Sequence, residues 1–354
     1  MISIIIPAYD CRDEIQGLLD DVGRSALLAE GDAEVIVVDD HSTDDTAAVC
    51  EAREGVRVIR QPQNAGPARA RNVGAAHARG ELLIFIDSDV RLLPGGDILS
   101  EMVRVLQERP PVDCVSTLSS PRPTRESAIA YANSIYHAYY MDRILAGRDE
   151  VEGRVMFFTT RLGAIRARRF REAGGFYESL RRVMNEDGEF GTRIYHRGYR
   201  SYLARHLVHQ HRYPTGFGRY LRSYYHSTVA QAQIDRTMDT SADESLSAAE
   251  KGRRLYALSF WLLPLLFALL PAAAAAALCG LWVLALPLVL GALGRRMRAE
   301  TPRRYWVGFH AVYVAITPFI FAGYAVGLLR HSLGDSLFAG PPSTLEYFRQ
   351  EAAS

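Results

Sequence analysis

Leu82-Leu83-Ile84-Phe85-Ile86-Asp87-Ser88-Asp89 is the stretch that decides the fold. Five consecutive apolar residues, β-branched and aromatic among them, predict a strand buried on both faces of a parallel sheet. That strand runs directly into two carboxylates one residue apart. In an open α/β sheet the ligand crevice lies at the carboxyl ends of the strands. An Asp-x-Asp placed there can share a hard divalent cation with a diphosphate, because Mg²⁺ and Mn²⁺ take oxygen ligands and leave positions for substrate phosphates. Asp and Ser are also common at a plain strand-to-turn junction, for local hydrogen-bonding reasons. The surrounding chain decides between the two.

Upstream, Ser3-Ile4-Ile5-Ile6-Pro7 predicts a first buried strand, followed by Ala8-Tyr9-Asp10. Ile15, Leu18, Leu19 and Val22 have helical spacing, which predicts a helix over 14–28. Glu34-Val35-Ile36-Val37-Val38 predicts a second buried strand ending in Asp39-Asp40, and Ser42 to Thr46 starts a helix over 47–52. Val56-Arg57-Val58-Ile59 is a third, shorter strand. Asn64-Ala65-Gly66-Pro67 turns into a helix over 68–78, with Gly80 expected to close it. Strand and helix alternating through short links predict a doubly wound, mostly parallel sheet. Tyr9, Asp40, Arg71 and Asp89 then fall at one rim. A nucleotide laid there would stack its base near Tyr9 and bond it to Asp40, with Arg71 behind and the diphosphate facing the cation.

Four segments, Ser3–Tyr9, Val37–Thr46, Asn64–Gly74 and Phe85–Asp89, resemble glycosyltransferase family 2 in order and spacing. The resemblance covers about the first 210 residues. It implies the GT-A fold, a Rossmann-like α/β domain, and transfer from a nucleotide-diphospho-sugar (UDP- or GDP-linked) with inversion. It places Pro7, Ala8, Tyr9, Asp39, Asp40, Gly66, Arg71, Asp87 and Ser88 at the nucleotide-sugar, and Asp89 with Asp87 on Mg²⁺ or Mn²⁺. Asn185-Glu186-Asp187 matches the family's Glu-Asp pair, so Asp187 is expected as the general base and Glu186 as its supporting neighbour. A histidine after the last strand often completes the metal site in this family; His209 is the expected ligand here, with His211 as the alternative. His41 stands where the family commonly has glycine. Gln210-His211-Arg212-Tyr213 departs from the Gln-x-x-Arg-Trp of processive synthases, which counts against a polymerase.

Further along, helices are expected over 94–108 and within the Tyr-rich segment 122–147, and a strand over 112–118. The 122–147 segment predicts a core-facing or membrane-surface helix, with acceptor binding as the sharper possibility. Phe157 to Ile165 predicts a strand and turn, Ala173-Gly174-Gly175-Phe176 a compact turn that lets backbone approach a ligand, and Leu203–His211 the last strand.

The net charge of +1 over 354 residues points to no nucleic-acid partner. Cys11, Cys50, Cys114 and Cys279 show no metal-ligand spacing and predict free thiols in a reducing compartment. Met1-Ile2-Ser3 enters a strand at once, so no cleavable signal peptide is expected. Leu255–Gly294 and Tyr305–Leu329 contain no charged residue. Forty helical residues would run about 60 Å, twice the roughly 30 Å hydrocarbon core, so three transmembrane helices are expected. The expected organisation is a GT-A domain over 1–212, interfacial helices over 213–254, an all-α transmembrane region over 255–330 (255–270, 272–294, 305–329) and a tail over 331–354. Lys251, Arg253 and Arg254, and then Arg295, Arg296, Arg298, Arg303 and Arg304, place the catalytic domain on the cytoplasmic side of the inner membrane. A lipid-linked or glycan acceptor follows from that tether. Two rivals remain: a polyprenyl-phosphate sugar synthase, whose phosphate acceptor needs no base, and a nucleotide-sugar-binding membrane protein without catalysis.

Overall fold

The computed structural model describes residues 1–180, 185–213 and 215–238, together with scattered positions between 274 and 330. It divides into two compact units, one holding Met1–Ser119 and Gly147–His211, the other Ser120–Ala146 and Arg212–Gly334. In chain order the elements are β1 (Ile2–Ala8), α1 (Arg12–Val22), α2 (Ala26–Ala29), β2 (Ala33–Asp39), α3 (Thr46–Glu51), β3 (Val56–Arg60), α4 (Pro67–Ala76), β4 (Leu82–Ile86), β5 (Val90–Leu92), α5 (Ile98–Glu108) and β6 (Cys114–Ser119). Then come α6 (Ala128–Leu145), β7 (Glu150–Gly153), β8 (Leu162–Arg166), α7 (Ala167–Ala173), α8 (Glu186–His196), β9 (Ser201–His211) and α9 (Phe217–Thr237).

The first unit is built on one sheet in the order β3-β2-β1-β4-β8-β6-β9-β5, with β7 also paired to β9. The run β3-β2-β1-β4 is parallel throughout. Beyond it the sheet is mixed, because β8 is antiparallel to both β4 and β6, and β5 and β7 are antiparallel to β9. The expectation of a mostly parallel sheet is corrected to this half-parallel, half-mixed arrangement. Alternate residues of each central strand feed opposite cores, as the pleat requires. Ile4, Ile6, Ile84 and Ile86 pack with Ile15, Leu18 and Met102 on one face. Ile5, Leu83 and Phe85 pack with Ala70, Phe170 and Phe190 on the other. On that second face Phe85, Phe170, Phe176 and Phe190 stack with ring centroids 4.9–5.6 Å apart, clamping α7 and α8 onto β4.

Several local expectations are revised. The helix expected over 14–28 is two helices, broken where Asp97 accepts from Ser25 Oγ (2.9 Å) and Ala26 N (2.8 Å); a carboxylate from a distant loop captures the donors that would have continued the turn. Gly80 does not close α4, which ends at His77. Its lack of a side chain serves β1 instead, since a Cβ there would stand 2.5 Å from Ser3 N. Phe157–Thr160 forms no strand: Phe158 is drawn into the phenylalanine cluster, and the strand begins at Leu162. The Ala173–Phe176 turn closes α7 and ties to α4 through Asn72, whose Oδ1 accepts Phe176 N at 2.9 Å.

In the second unit α6 and α9 bury Tyr131, Ile135 and Tyr220 together with Val312. Tyr131 stacks near Tyr305 (5.3 Å between centroids) and donates to Glu126, which also pairs with Arg304. Among the described residues no helix is long and apolar enough to cross a membrane. The spans expected over 255–270, 272–294 and 305–329 lie almost entirely outside the described residues. Among the described cysteines Cys11, Cys50 and Cys114 are free and buried.

Candidate active site

The rim where β1, β2 and β4 end carries most of the expected side chains, and the structure sorts them into holders and presenters. Pro7 and Ala8 are buried inside β1. Ala8 accepts Asp40 N through its carbonyl (2.8 Å), so the pair sets the height at which Tyr9 emerges. Tyr9 is 47% exposed, an open ring at the sheet's edge. Asp39 is buried and accepts from Ser42 N at 3.3 Å.

Asp40 is committed elsewhere than expected. Its Oδ1 accepts Gln61 Nε2 (2.7 Å) and Ala65 N (2.8 Å), and its Oδ2 accepts Gly66 N (2.7 Å). Burial pushes its carboxyl above the usual range, while these backbone donors pull it back. Asp40 therefore anchors the loop that launches α4. Gly66 ends that loop at φ 93, a left-handed conformation that admits glycine without strain. His41, next in the chain, also has a positive φ, 66. That backbone angle is the physical reason a glycine suits this position.

Arg71 joins the two halves of the site. It is 3% exposed on α4, with Nη2 2.5 Å from Asp87 Oδ1 and Nη1 2.6 Å from Glu186 Oε1. Burial alone would lower its pKa, but the two carboxylates outweigh it and raise it, so the charge is permanent. A guanidinium locked between two carboxylates brings the Asp-x-Asp turn after β4 against the first turn of α8. Removing one partner of such a buried set costs about 3–5 kcal/mol, because a charge is stranded. Glu186 also accepts Asn185 N at 3.2 Å, so its carboxylate is held in place.

Asp187 differs from its neighbour. Among the described residues it accepts one hydrogen bond, from Gly188 N at 2.9 Å. Burial, then the adjacent Glu186 charge, push its carboxyl up to about 6, against the opposing pull of Arg161 and Arg71. A half-buried carboxylate with that affinity for a proton suits a general base near neutral pH.

Asp87, Asp89 and His211 each offer one ligand atom, and these atoms all lie within 4.8 Å of one another. His211 Nε2 stands 3.1 Å from Asp89 Oδ1, close to the roughly 3 Å between neighbouring ligands of an octahedral ion with bonds near 2.1 Å. Two carboxylate oxygens and one imidazole nitrogen, with further positions left for substrate oxygens, fit Mg²⁺ or Mn²⁺. Burial pushes Asp89 up, but His211 and Arg161 outweigh it and hold the carboxyl below its usual range. Ser88, between the two aspartates, lies beside the Cys11 thiol and pulls its pKa down against the larger upward push of burial.

His209, the first choice for the third ligand, is displaced from that role. It is fully buried, with Nδ1 2.8 Å from Thr117 Oγ1 and Nε2 3.1 Å from Ser119 Oγ. Burial, with His211 and Arg161 nearby, pushes its pKa well down, so the ring is neutral. Thr117 Oγ1 donates its proton to Leu162 O at 2.7 Å, so it must accept from His209 Nδ1–H. Nε2 then accepts, and Ser119 donates to it. Both ring nitrogens are used. The alternative, His211, is the histidine that lies with Asp87 and Asp89.

Arg161 was missed from the sequence. Its carbonyl accepts Asp87 N at 3.1 Å, and its charge acts on both Asp89 and Asp187. Thr160-Arg161-Leu162 has no spacing that separates this arginine from the surface cations of a chain with 41 Lys and Arg.

Residues 3–172, just under half of the chain, match the family model for glycosyl transferase family 2. The chain is 38% identical over 106 residues to the succinoglycan biosynthesis protein ExoU of Rhizobium meliloti, covering 28% of this chain and 30% of that protein. It is 39% identical over 93 residues to a poly(ribitol-phosphate) beta-glucosyltransferase of Bacillus spizizenii, covering 25% of this chain and 14% of that one. Over 115 residues it is 31% identical to an uncharacterized glycosyltransferase of Haemophilus influenzae, covering 32% of this chain and 37% of that protein. The chain thus spans well under half the length of these curated relatives. In fold it resembles the mannosyltransferase PcManGT of Pyrobaculum calidifontis, solved with GDP-Man and Mn²⁺, at a TM-score of 0.62 and 22% identity over 93% of this chain and 86% of that one. Residues 3–172 therefore match a glycosyl transferase family 2 domain, glycosyltransferase is the enzyme class that match supports, and the mixed α/β sheet is similar in fold to that mannosyltransferase.

Proposed function

We propose that the chain is an inverting, metal-dependent glycosyltransferase that moves a sugar from a UDP- or GDP-sugar to the hydroxyl of a lipid-linked or glycan acceptor. The observation that carries this reading is Arg71 bridging Asp87 and Glu186, which sets a three-ligand cluster beside a carboxylate of raised proton affinity. Asp87, Asp89 and His211 would hold Mg²⁺ or Mn²⁺, which supplies Lewis-acid neutralisation of the diphosphate. Asp187 takes the proton of the acceptor hydroxyl as its oxygen bonds to the anomeric carbon. The bond from that carbon to the diphosphate oxygen breaks, and its electron pair leaves with the nucleoside diphosphate. Arg71 and Glu186 keep the base aligned, and Tyr9 offers an exposed face for the nucleoside base. The uncharged stretches 255–294 and 305–329, flanked by arginines, support a multi-pass anchor in the inner membrane with the catalytic unit on the cytoplasmic side.

The test is incubation of the full chain with UDP- and GDP-sugars, Mn²⁺ and membrane lipid extract, following nucleoside diphosphate release and the anomeric configuration of the product. Release that needs Mn²⁺, is lost in Asp89→Asn and gives the inverted anomer is expected. Retained configuration removes inversion. Release unaffected by Asp89→Asn removes the metal assignment.

A further inference from the structure

Glu189 is a fully buried carboxylate in the middle of α8 that the reaction proposed above does not use. It grips Arg193 one turn further on, accepting Nε at 2.7 Å and Nη2 at 2.8 Å. The same guanidinium donates through Nη2 to Gly175 O at 2.7 Å and through Nη1 to Ala173 O. A buried ion pair is a weak source of stability, and an apolar pair of similar volume often serves a core better. What this pair adds is direction. Phe190 and Ile194 hold α8 to the core by apolar burial, which is non-directional. Four bonds from one planar fork fix both the roll of the helix and its position along its axis.

Glu186, Glu189 and Arg193 follow i, i+3, i+7 spacing and share one face of α8. Arg71 holds that face at the first turn, through Glu186. Held there alone, the helix could pivot about that point; Arg193 supplies a second hold about 10 Å along the axis. Both holds lead back to one turn of α4. Next to Arg71, Asn72 accepts Phe176 N at 2.9 Å and donates to Phe176 O at 2.9 Å and Glu178 Oε1 at 3.1 Å. The ring of α4, the 173–178 turn, Arg193 and Glu186 closes on itself. Gly191 seats α8 from another direction, since a Cβ there would stand 2.7 Å from Phe158 N.

Asp187 has no comparable hold of its own. Among the described residues its carboxylate accepts from Gly188 N alone, within the same helix. Its place is therefore the place of the α8 backbone. We propose that Arg193, locked by Glu189, is a positioning residue for Asp187, setting the depth and roll at which that carboxylate meets the acceptor hydroxyl. The proposal rests on the glycosyltransferase reading above. A base works at hydrogen-bond distance, and a misplacement of about 1 Å costs up to about a hundredfold.

The test is a double-mutant cycle on the full chain, with Arg193→Met made in the wild-type and in the Asp187→Asn background. The readouts are kcat for nucleoside diphosphate release from UDP- and GDP-sugars with Mn²⁺ and membrane lipid extract, and calorimetric affinity for UDP and GDP. In the wild-type background Arg193→Met is expected to lower kcat about tenfold to a hundredfold, with nucleotide affinity within about twofold. In Asp187→Asn it is expected to cost almost nothing more, because the group it positions is gone. Arg193→Lys keeps the ion pair but loses the fork, so its loss falls between. Should Arg193→Met fail to fold with Glu189 stranded, Glu189→Leu combined with Arg193→Met removes the stranded charge and carries the same cycle. Equal loss in both backgrounds, no loss in either, or a matching loss of nucleotide affinity overturns the role of Arg193 alone. A wild type that turns over none of the sugars, or an Asp187→Asn variant as active as the wild type, overturns the base assignment, and this proposal with it.

Discussion

The end of β2 and the start of α8 each carry two acidic residues in a row, and burial raises the proton affinity of one member of each pair, Asp40 and Asp187. Their surroundings then diverge. Asp40 accepts three donors from the 61–66 loop, and its neighbour Asp39 is buried as well. At α8 the surroundings are divided: Glu186 is pinned by Arg71, and among the described residues Asp187 accepts from Gly188 N alone, which under the proposed function leaves lone pairs for a substrate proton. Under the proposed function, two consecutive carboxylates thus mean framework in one place and framework plus chemistry in the other. What separates them is the number of donors each carboxylate has already accepted, which sequence spacing does not reveal.

The largest effect expected from this contrast is on Asp187→Asn. Loss of a positioned base lowers kcat by about 10²–10⁴-fold, while Mn²⁺-dependent nucleotide binding stays intact. Transfer that survives Asp187→Asn would point to the phosphate-acceptor synthase considered above. The pH profile sharpens the same point. A base must be deprotonated to act, so kcat/KM of the wild type falls as pH drops through about 6. A cation held by Asp87 and Asp89 favours the carboxylate and moves this limb to lower pH, never higher. The stability sign runs the other way. A carboxyl raised in the fold favours the native state when protonated, and that advantage is lost as pH rises from its unfolded value through about 6. Asp187→Asn therefore raises the melting temperature above pH 6 and has little effect at pH 4, which thermal unfolding at the two pH values checks.

Asp40→Ala should behave in the opposite way. It leaves Gln61 Nε2, Ala65 N and Gly66 N without their acceptor, at a cost of about 2–4 kcal/mol. Urea unfolding should show that loss, and nucleotide affinity should fall with the misplacement of α4 and Arg71. Unchanged stability with lost nucleotide binding would restore Asp40 to direct contact with the base.

The parallel half of the sheet was legible because its strands are buried on both faces. Ser3–Pro7, Val35–Val38 and Leu82–Ile86 are short apolar runs with carboxylates or a proline at their ends, and no other element fits them. The mixed half was less so. β8 carries Leu-Gly-Ala-Ile, and its direction is set by a long return through α6 and β7, which local sequence does not encode. Period-two alternation put His209 and His211 on one face and made them equivalent candidates. The register shift of β6 against β9 between Ser116 and Leu118, and the two hydroxyls waiting at Thr117 and Ser119, made one a buried strut and left the other beside Asp87 and Asp89. Arg161 was illegible for a similar reason, since its significance comes from Asp87 and Ser119, 74 and 42 residues away in sequence.

His41 gives the smallest expected effect and the finest division between framework and contact. It follows Asp39-Asp40 directly, is exposed, and has φ 66. An L residue in that region costs about 1–2 kcal/mol, part of which glycine gives back through its own greater chain entropy. His41→Gly should therefore stabilise the fold by about 0.5–1 kcal/mol, seen as a higher urea midpoint with an unchanged slope. A midpoint that stays or falls would show that the imidazole makes contacts worth more than the strain. Nucleotide affinity measured on the same variant then completes the comparison. If it is unchanged, the turn after β2 is framework to its last residue; if it falls while stability rises, the β2 end has a presenter of its own, placed by backbone strain where α8 uses burial.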